Sequence, residues 1–225
     1  MFYADYNYKK YKQFRLLAVD GTKINIPLTK ENRENSKTTK TKENNKEYIS
    51  VRASIFYDVL NNMIIDSIIG NTHTSEKELL ISHLKFLKQG DLLLTDRGYP
   101  SYYIFNMILE TGADFCIRVK KTHNKVIEKF ANSDKIDDII EINPSSRSDD
   151  IYHKPLKVRV LKIFNKDNDF KILCTSLIGE EYSYDFFIGL YELRWQVEEE
   201  CKNLKCKIQL ENFSGKTTLS VLQDF

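Results

Sequence analysis

Two short, largely apolar segments, each ending in an aspartate close to a glycine, constrain the fold of this chain more than any other feature. Residues 14–19 lead into Asp20, and residues 91–95 lead into Asp96. Apolar segments of this length, bounded by Gly and Pro, are typical of central strands in a sheet that is covered on both faces. Ligands of open α/β sheets bind beyond the carboxyl ends of the strands. The pattern therefore predicts an α/β fold with both acids at a ligand-binding edge, although either aspartate alone is more often a turn residue.

A second group of polar residues shares one face of a predicted helix near the end of the sequence. At about 100° per residue these side chains fall within an arc of about 60°, and they are Tyr191, Arg194, Glu198 and Lys205. The apolar residues of the segment form a separate stripe, which consists of Leu190, Leu193, Val197, Leu204 and Ile208. A carboxylate can bind a metal ion, and Arg and Lys can bind phosphates. Taken alone, this face is equally well explained as a solvated surface with ion pairs between helical turns.

The two aspartates and the helix together resemble the signature of a known enzyme family. The four helical residues have the spacing of the Y-(2)-R-(3)-E-(6)-K signature, which is characteristic of DDE transposases of the insertion-sequence type, in the group called family four. The sequences around the two aspartates, Leu-Ala-Val-Asp-Gly-Thr and Asp-Arg-Gly-Tyr, are also similar to that family. The resemblance extends from about Phe14 to Lys216.

The resemblance implies a catalytic site and a reaction. Asp20, Asp96 and Glu198 would be the catalytic residues and would hold two Mg²⁺ ions, for which Mn²⁺ would substitute. The implied reaction is metal-dependent cleavage at transposon ends, followed by attack of the freed 3′-hydroxyl on target DNA. The expected cofactor is therefore a divalent cation bound by three carboxylates that lie far apart in the sequence.

The remaining polar residues of the resemblance are expected to bind DNA. Tyr191, Arg194 and Lys205 would hold the transposon end. Arg97 follows the second acid directly and is a further candidate for phosphate contact, with a structural salt bridge an equally good interpretation. The net charge is only +2, from 34 basic and 32 acidic residues, so a DNA surface depends on local clusters of cations. We expect DNA and, in the DNA complex, a second copy of the chain as partners.

The order of the predicted elements is three strands, helix, strand, helix and strand, which is the order of a ribonuclease-H-like core. In that fold the first and fourth strands are neighbours and would bring the two aspartates together. Ser75 and Glu78 have the spacing of a capping box, which predicts the start of a helix that extends to about Lys88. Alternating residues at 156–164 and a turn at 165–169 predict a β-hairpin, whereas 30–47 is predicted as a polar loop. We divide the chain into the first part of the core at 1–120, a mostly β insertion at 121–180, and the catalytic helix with the start of a C-terminal region at 181–225.

Two other functions match parts of the sequence. Asp20-Gly-Thr resembles the end of the nucleophile motif in phosphatases of the haloacid-dehalogenase type, but Ala18 stands where that motif needs its nucleophilic aspartate. A truncated, non-catalytic DNA-binding relic or regulator derived from a transposase stays open, because few residues precede Asp20 or follow Lys205. No apolar segment approaches the ~20 residues of a membrane span, and no signal peptide is evident. We therefore expect a cytoplasmic protein that does not bind membranes.

Overall fold

A mixed α/β architecture organises the chain, and the computed structural model describes residues 7–36, 38–40, 45–71, 73–144, 151–193 and 213–224 of it. Nine strands of this part form one sheet, with the bounds β1 Arg15–Ile26, β2 Thr38–Lys40, β3 Glu47–Asp58, β4 Met63–Gly70, β5 Asp91–Thr95, β6 Asp114–Val119, β7 Asp137–Ile142, β8 Leu156–Phe164 and β9 Phe170–Thr175. The order across the sheet is β2-β3-β1-β5-β6-β9-β8-β7, and β4 pairs with β3. The pairs β1–β5 and β5–β6 are parallel, whereas the other neighbours are antiparallel.

The two segments that carry the predicted acids are neighbours in the sheet, as the order of elements predicts. Their register runs from Arg15 opposite Asp91 to Ala18 opposite Leu94. At the start of this register the Arg15 guanidinium donates two hydrogen bonds, of 2.8 and 2.6 Å, to the Asp91 carboxylate. Both side chains are buried. Because a bidentate pair of this kind requires a specific geometry, it sets the alignment of β1 against β5.

The predicted end of the first strand at Asp20 is wrong, because β1 continues to Ile26. It pairs with β5 as far as Ala18 and with β3 as far as Ile26. The physical reason is that Ile24, after Gly21, is completely buried, and its burial stabilises the extended chain that pairs with β3. Asp20 therefore stands where β1 parts from β5 but stays attached to β3.

The helices begin where the sequence supplies capping side chains. Their bounds are α1 Lys30–Asn35, α2 Glu76–His83, α3 Tyr102–Glu110, α4 Lys125–Ala131, α5 described over residues 184–193, and α6 Thr218–Asp224. A capping box between Ser75 and Glu78, which the sequence predicts, is confirmed at the start of α2. The segment 30–47 contains α1 and β2 rather than only a loop, because the Thr29 hydroxyl caps α1 and β2 pairs with β3. None of the described helices is long and apolar enough to cross a membrane.

The two faces of the sheet carry separate apolar clusters, because consecutive residues of a strand point to opposite sides. One face packs residues of α2 and α3 against Leu17, Val19 and Leu93. The other face packs Phe186, Phe187 and Leu190 of α5 against a group that includes Leu16, Ala18, Leu92 and Leu94. The same alternation directs Asp20 to the face that is covered by α5, and Asp96, one residue past β5, contacts Arg118, which points to that face from β6.

The stretch that is predicted as a mostly β insertion extends the same sheet. It contains α4 and the strands β7, β8 and β9, and β9 pairs with β6 in antiparallel orientation. The predicted hairpin is confirmed, since β8 and β9 pair up to Phe164 and Phe170 and Asn168 of the turn adopts a φ of 59°. Consequently β9 is separated from β5 by β6 alone.

Candidate active site

A cavity of about 320 Å³ lies beside the point where β1 parts from β5, and its lining residues are Asp20, Gly21, Glu76, Asp96, Arg97, Gly98, Tyr99 and Lys120. Asp20 and Asp96 hold equivalent places, because they follow the paired residues Ala18 and Leu94 by two positions each. Neighbouring strands are ~4.8 Å apart. The structure therefore brings these two predicted acids together at one site.

Both carboxylates are anchored and remain accessible. Asp20 Oδ1 accepts a hydrogen bond of 2.9 Å from the backbone N–H of Gly21. Asp96 Oδ1 lies 3.5 Å from Nη1 of Arg118, and the Asp96 side chain is 36% exposed. A guanidinium beside one of two neighbouring carboxylates reduces their mutual repulsion.

Two glycines let Glu76, at the start of α2, approach the segments that carry the acids. A Cβ atom on Gly98 would lie 2.7 Å from Oε2 of Glu76, and a Cβ atom on Gly21 would lie 3.3 Å from Cγ of the same glutamate. The Glu76 carboxylate is 3.8 Å from Nε of Arg52. Glu76 was not among the predicted site residues, because its position after the N-cap Ser75 is fully explained by the start of a helix.

Cations border the cavity as well. Arg97, the candidate for phosphate contact, lines the cavity, and so does Lys120, which directly follows β6. Burial, together with the charges of Lys77 and Lys120, lowers the pKa of His123. The sequence marks Lys120 only as part of the basic segment 120–125, a candidate DNA surface that is more readily explained as a solvated face; in the structure its place after β6 repeats that of Asp96 after β5. The cavity thus presents carboxylates and cations side by side, as a site for a metal ion and a phosphate requires.

The helix that carries the predicted signature packs across the face to which the acids point. Tyr191 of α5 is partly buried against the apolar cluster of this face, and its ring centroid is 5.1 Å from Nζ of Lys171. Arg194, Glu198 and Lys205 lie outside the described residues. Of the predicted site residues, the structure therefore groups Asp20, Asp96 and Arg97 around the cavity and places Tyr191 on the covering helix.

The donor atoms of the site match a divalent cation. Mg²⁺ prefers hard oxygen ligands, usually one or two carboxylates completed by water and substrate phosphate, and Asp20 and Asp96 supply two such carboxylates at one cavity. Within the described ranges, no three His, Cys, Asp or Glu side chains are placed to hold a metal ion together. The predicted third acid, Glu198, lies outside those ranges.

Comparisons with known proteins identify a family and a shared fold. The family described as "Transposase DDE domain" matches residues 11–223. Among solved structures, the chain is similar to piggyBac transposase in a cryo-EM structure of its synaptic complex with hairpin DNA, with a TM-score of 0.55 and 11% sequence identity. The match covers 92% of this chain and 44% of that transposase, so the chain spans less than half of its length. At this identity the likeness shows a shared fold. No curated protein matches the sequence.

Proposed function

The chain belongs to the Transposase DDE domain family, which implies a function in DNA transposition, and from this premise we propose that it is a metal-dependent transposase of the insertion-sequence type, in the group called family four. It would cleave DNA at transposon ends and transfer the freed 3′-hydroxyl into target DNA. The large mixed sheet is consistent with a ribonuclease-H-like transposase core, and we propose that residues 121–180 are its mostly β insertion.

One observation carries this proposal: Asp20 and Asp96 occupy equivalent positions on adjacent parallel strands and border the same cavity. Strand alternation directs Asp20 toward the face on which α5 packs, and Asp96 contacts Arg118 on the same face. In the sequence, the predicted third acid, Glu198, follows the last described residue of α5 by five positions. Two-ion chemistry needs several ligands to meet at one place, and this arrangement supplies two carboxylates.

We propose that Asp20, Asp96 and Glu198 hold two Mg²⁺ ions, for which Mn²⁺ can substitute. When bound, such ions supply a nucleophilic oxygen at neutral pH and stabilise the oxygen that leaves the phosphate. Arg118 restrains the Asp96 carboxylate through the 3.5 Å contact. Arg97 borders the cavity and attracts the negatively charged DNA backbone.

We further propose that Tyr191, Arg194 and Lys205 hold the transposon end. The piggyBac transposase is described in a synaptic complex with hairpin DNA, and this supports DNA as the partner here. A second copy of the chain would join in the DNA complex. Arg offers two parallel hydrogen bonds to a phosphate, whereas Lys acts as a point charge.

Nicking of a supercoiled plasmid in Mg²⁺ or Mn²⁺ tests the proposal. Asp20→Asn and Asp96→Asn should each reduce the nicking rate by more than about 100-fold. Loss of a residue that only hydrogen-bonds a metal ligand typically costs about 10–100-fold, and loss of a ligand itself should cost more. Asp167→Asn removes the same charge from the β8–β9 turn and is the matched control. Nicking by Asp20→Asn or Asp96→Asn at the parent rate would show that these carboxylates do not form the catalytic site.

A further inference from the structure

Lys171, which is outside every predicted site, lies on the same face of the sheet as the two acids. In β9 the neighbouring residues Ile172 and Leu173 belong to opposite apolar clusters, and Leu173 belongs to the cluster that packs against α5. Lys171 is separated from Leu173 by two positions and therefore points to the α5 face. Its cross-strand partner in β8, Ile163, belongs to the same cluster.

The register of the sheet aligns Lys171 with the active-site edge. Arg118 of β6 contacts Asp96 and pairs with Leu173 of β9. Since β6 and β9 are antiparallel, Lys171 lies beyond Leu173 in the direction in which β6 ends. Adjacent strands are ~4.8 Å apart, so β9 is roughly 10 Å from β5. A row of polar side chains consequently crosses the α5 face, from Asp20 and Asp96 through Arg118 to Lys171.

Lys171, at the end of this row, contacts Tyr191 of α5. The Lys171 ammonium lies 5.1 Å from the centroid of the Tyr191 ring, which is within the range of a cation–π interaction. Tyr191 is itself partly buried against the α5-face cluster, so its ring is held in place by packing. The aromatic ring restrains a flexible lysine whose charge faces the same side of the sheet as the acids.

We propose that Lys171 is a further DNA-binding residue, which acts together with Tyr191 to hold a backbone phosphate of the DNA strand next to the catalytic acids. The inference rests on the proposed function. A phosphate is the ligand that matches an ammonium group, and the Tyr191 ring, whose hydroxyl is buried, positions that ammonium. Lys171 positions the substrate and takes no part in bond cleavage.

The salt dependence of DNA binding tests the role of Lys171. Fluorescence anisotropy with a labelled duplex of about 20 base pairs, measured over a range of salt concentrations, gives the slope of log K against log salt. Lys171→Gln should reduce the magnitude of this slope by about 0.9, the value for one lost phosphate contact on a duplex. Lys166→Gln removes the same charge from the exposed β8–β9 turn and should leave the slope unchanged.

A double-mutant cycle with Tyr191 tests the partnership. Tyr191→Phe keeps the aromatic ring, so Lys171→Gln should have its full effect on the slope in that background. Tyr191→Leu removes the ring, so the effect of Lys171→Gln should shrink.

The outcomes separate this inference from the proposed function. If the parent binds DNA with a clear slope and Lys171→Gln matches either the parent or Lys166→Gln, Lys171 does not bind phosphate and the proposed function stands. If the parent shows no salt-dependent DNA binding at all, the proposed function fails and this inference fails with it.

Discussion

His83 joins three elements through a buried chain of hydrogen bonds. Its Nδ1 atom lies 2.8 Å from Oδ2 of Asp66 in β4, and its Nε2 atom lies 3.0 Å from Oγ of Ser54 in β3. The order Ser-His-Asp is that of a hydrolase triad. However, Ser54 is 1% exposed and His83 is fully buried, so no substrate reaches the serine. The chain instead holds the end of α2 against the sheet.

This histidine makes the stability of the protein depend on pH. Burial lowers the pKa of His83 and outweighs the opposing hydrogen bond and charge of Asp66. The folded protein keeps the imidazole neutral, whereas the unfolded chain takes up a proton below the ordinary pKa of 6.5. The contribution of His83 to stability is therefore fully present above pH 6.5 and is lost as the pH falls toward the lower folded pKa.

The prediction is checked by denaturant unfolding between about pH 5 and 8, where histidines change charge. His83→Asn should be less stable than the parent at neutral pH but should lose less stability as the pH falls. His153→Asn, a change at an exposed histidine, is the control for the loss of one imidazole. Equal pH dependence in His83→Asn and the parent would contradict a buried neutral His83.

The strand pair β1–β5 depends on the buried ion pair at its start. Arg15 and Asp91 are 5% and 1% exposed, and Asp91 Oδ2 also accepts a hydrogen bond of 2.9 Å from the backbone N–H of Lys88. Removing one partner leaves an uncompensated buried charge, so Asp91→Ala should reduce the free energy of unfolding by about 3–5 kcal/mol. Lys135→Ala, which breaks an exposed pair with Asp138, should cost less than about 1 kcal/mol.

Replacing both members of the Arg15–Asp91 pair tests whether the two side chains act together. Arg15→Met combined with Asp91→Leu replaces the pair with apolar side chains and should recover much of the lost stability, because the buried charge is gone. Chemical unfolding of both single variants and the double variant measures this coupling. Additive losses in the double variant would show that the two side chains do not act as a pair.

At the level of elements, the sequence predicts features that depend on neighbouring residues, and it misses strands that are defined by pairing with a distant strand. The capping box at Ser75 and Glu78 was predicted because it needs only residues three positions apart. The continuation of β1 past Asp20 was not predicted, because a glycine after an apolar run reads as a turn and the reason for extension is the pairing with β3. The short strand β2 was missed for the same reason, since its residues are exposed and only its pairing with β3 defines it.

At the level of the whole molecule, the sequence predicted site residues that stand out by their local pattern. It missed residues whose role depends on strand order and helix packing. Asp20 and Asp96 were proposed from their places after apolar strands, and the structure brings them to one cavity. Lys171 could not be identified in this way, because the sequence of an alternating strand shows that the lysine lies on one face but not which element packs against that face. Only the order β5-β6-β9 and the packing of α5 place it beside Tyr191.

Two residues of the predicted signature, Glu198 and Lys205, should separate cleavage from DNA binding. Glu198→Gln removes one proposed metal ligand and a negative charge but no phosphate contact, so it should abolish plasmid nicking and leave DNA affinity equal or stronger. Lys205→Ala keeps the carboxylates and should weaken DNA binding, with a salt slope smaller by about 0.9. Glu200→Gln, on the opposite side of the predicted helix, is the control for Glu198→Gln. Nicking by Glu198→Gln at the parent rate would rule out Glu198 as the third ligand, and an unchanged slope in Lys205→Ala would argue against its contact with phosphate.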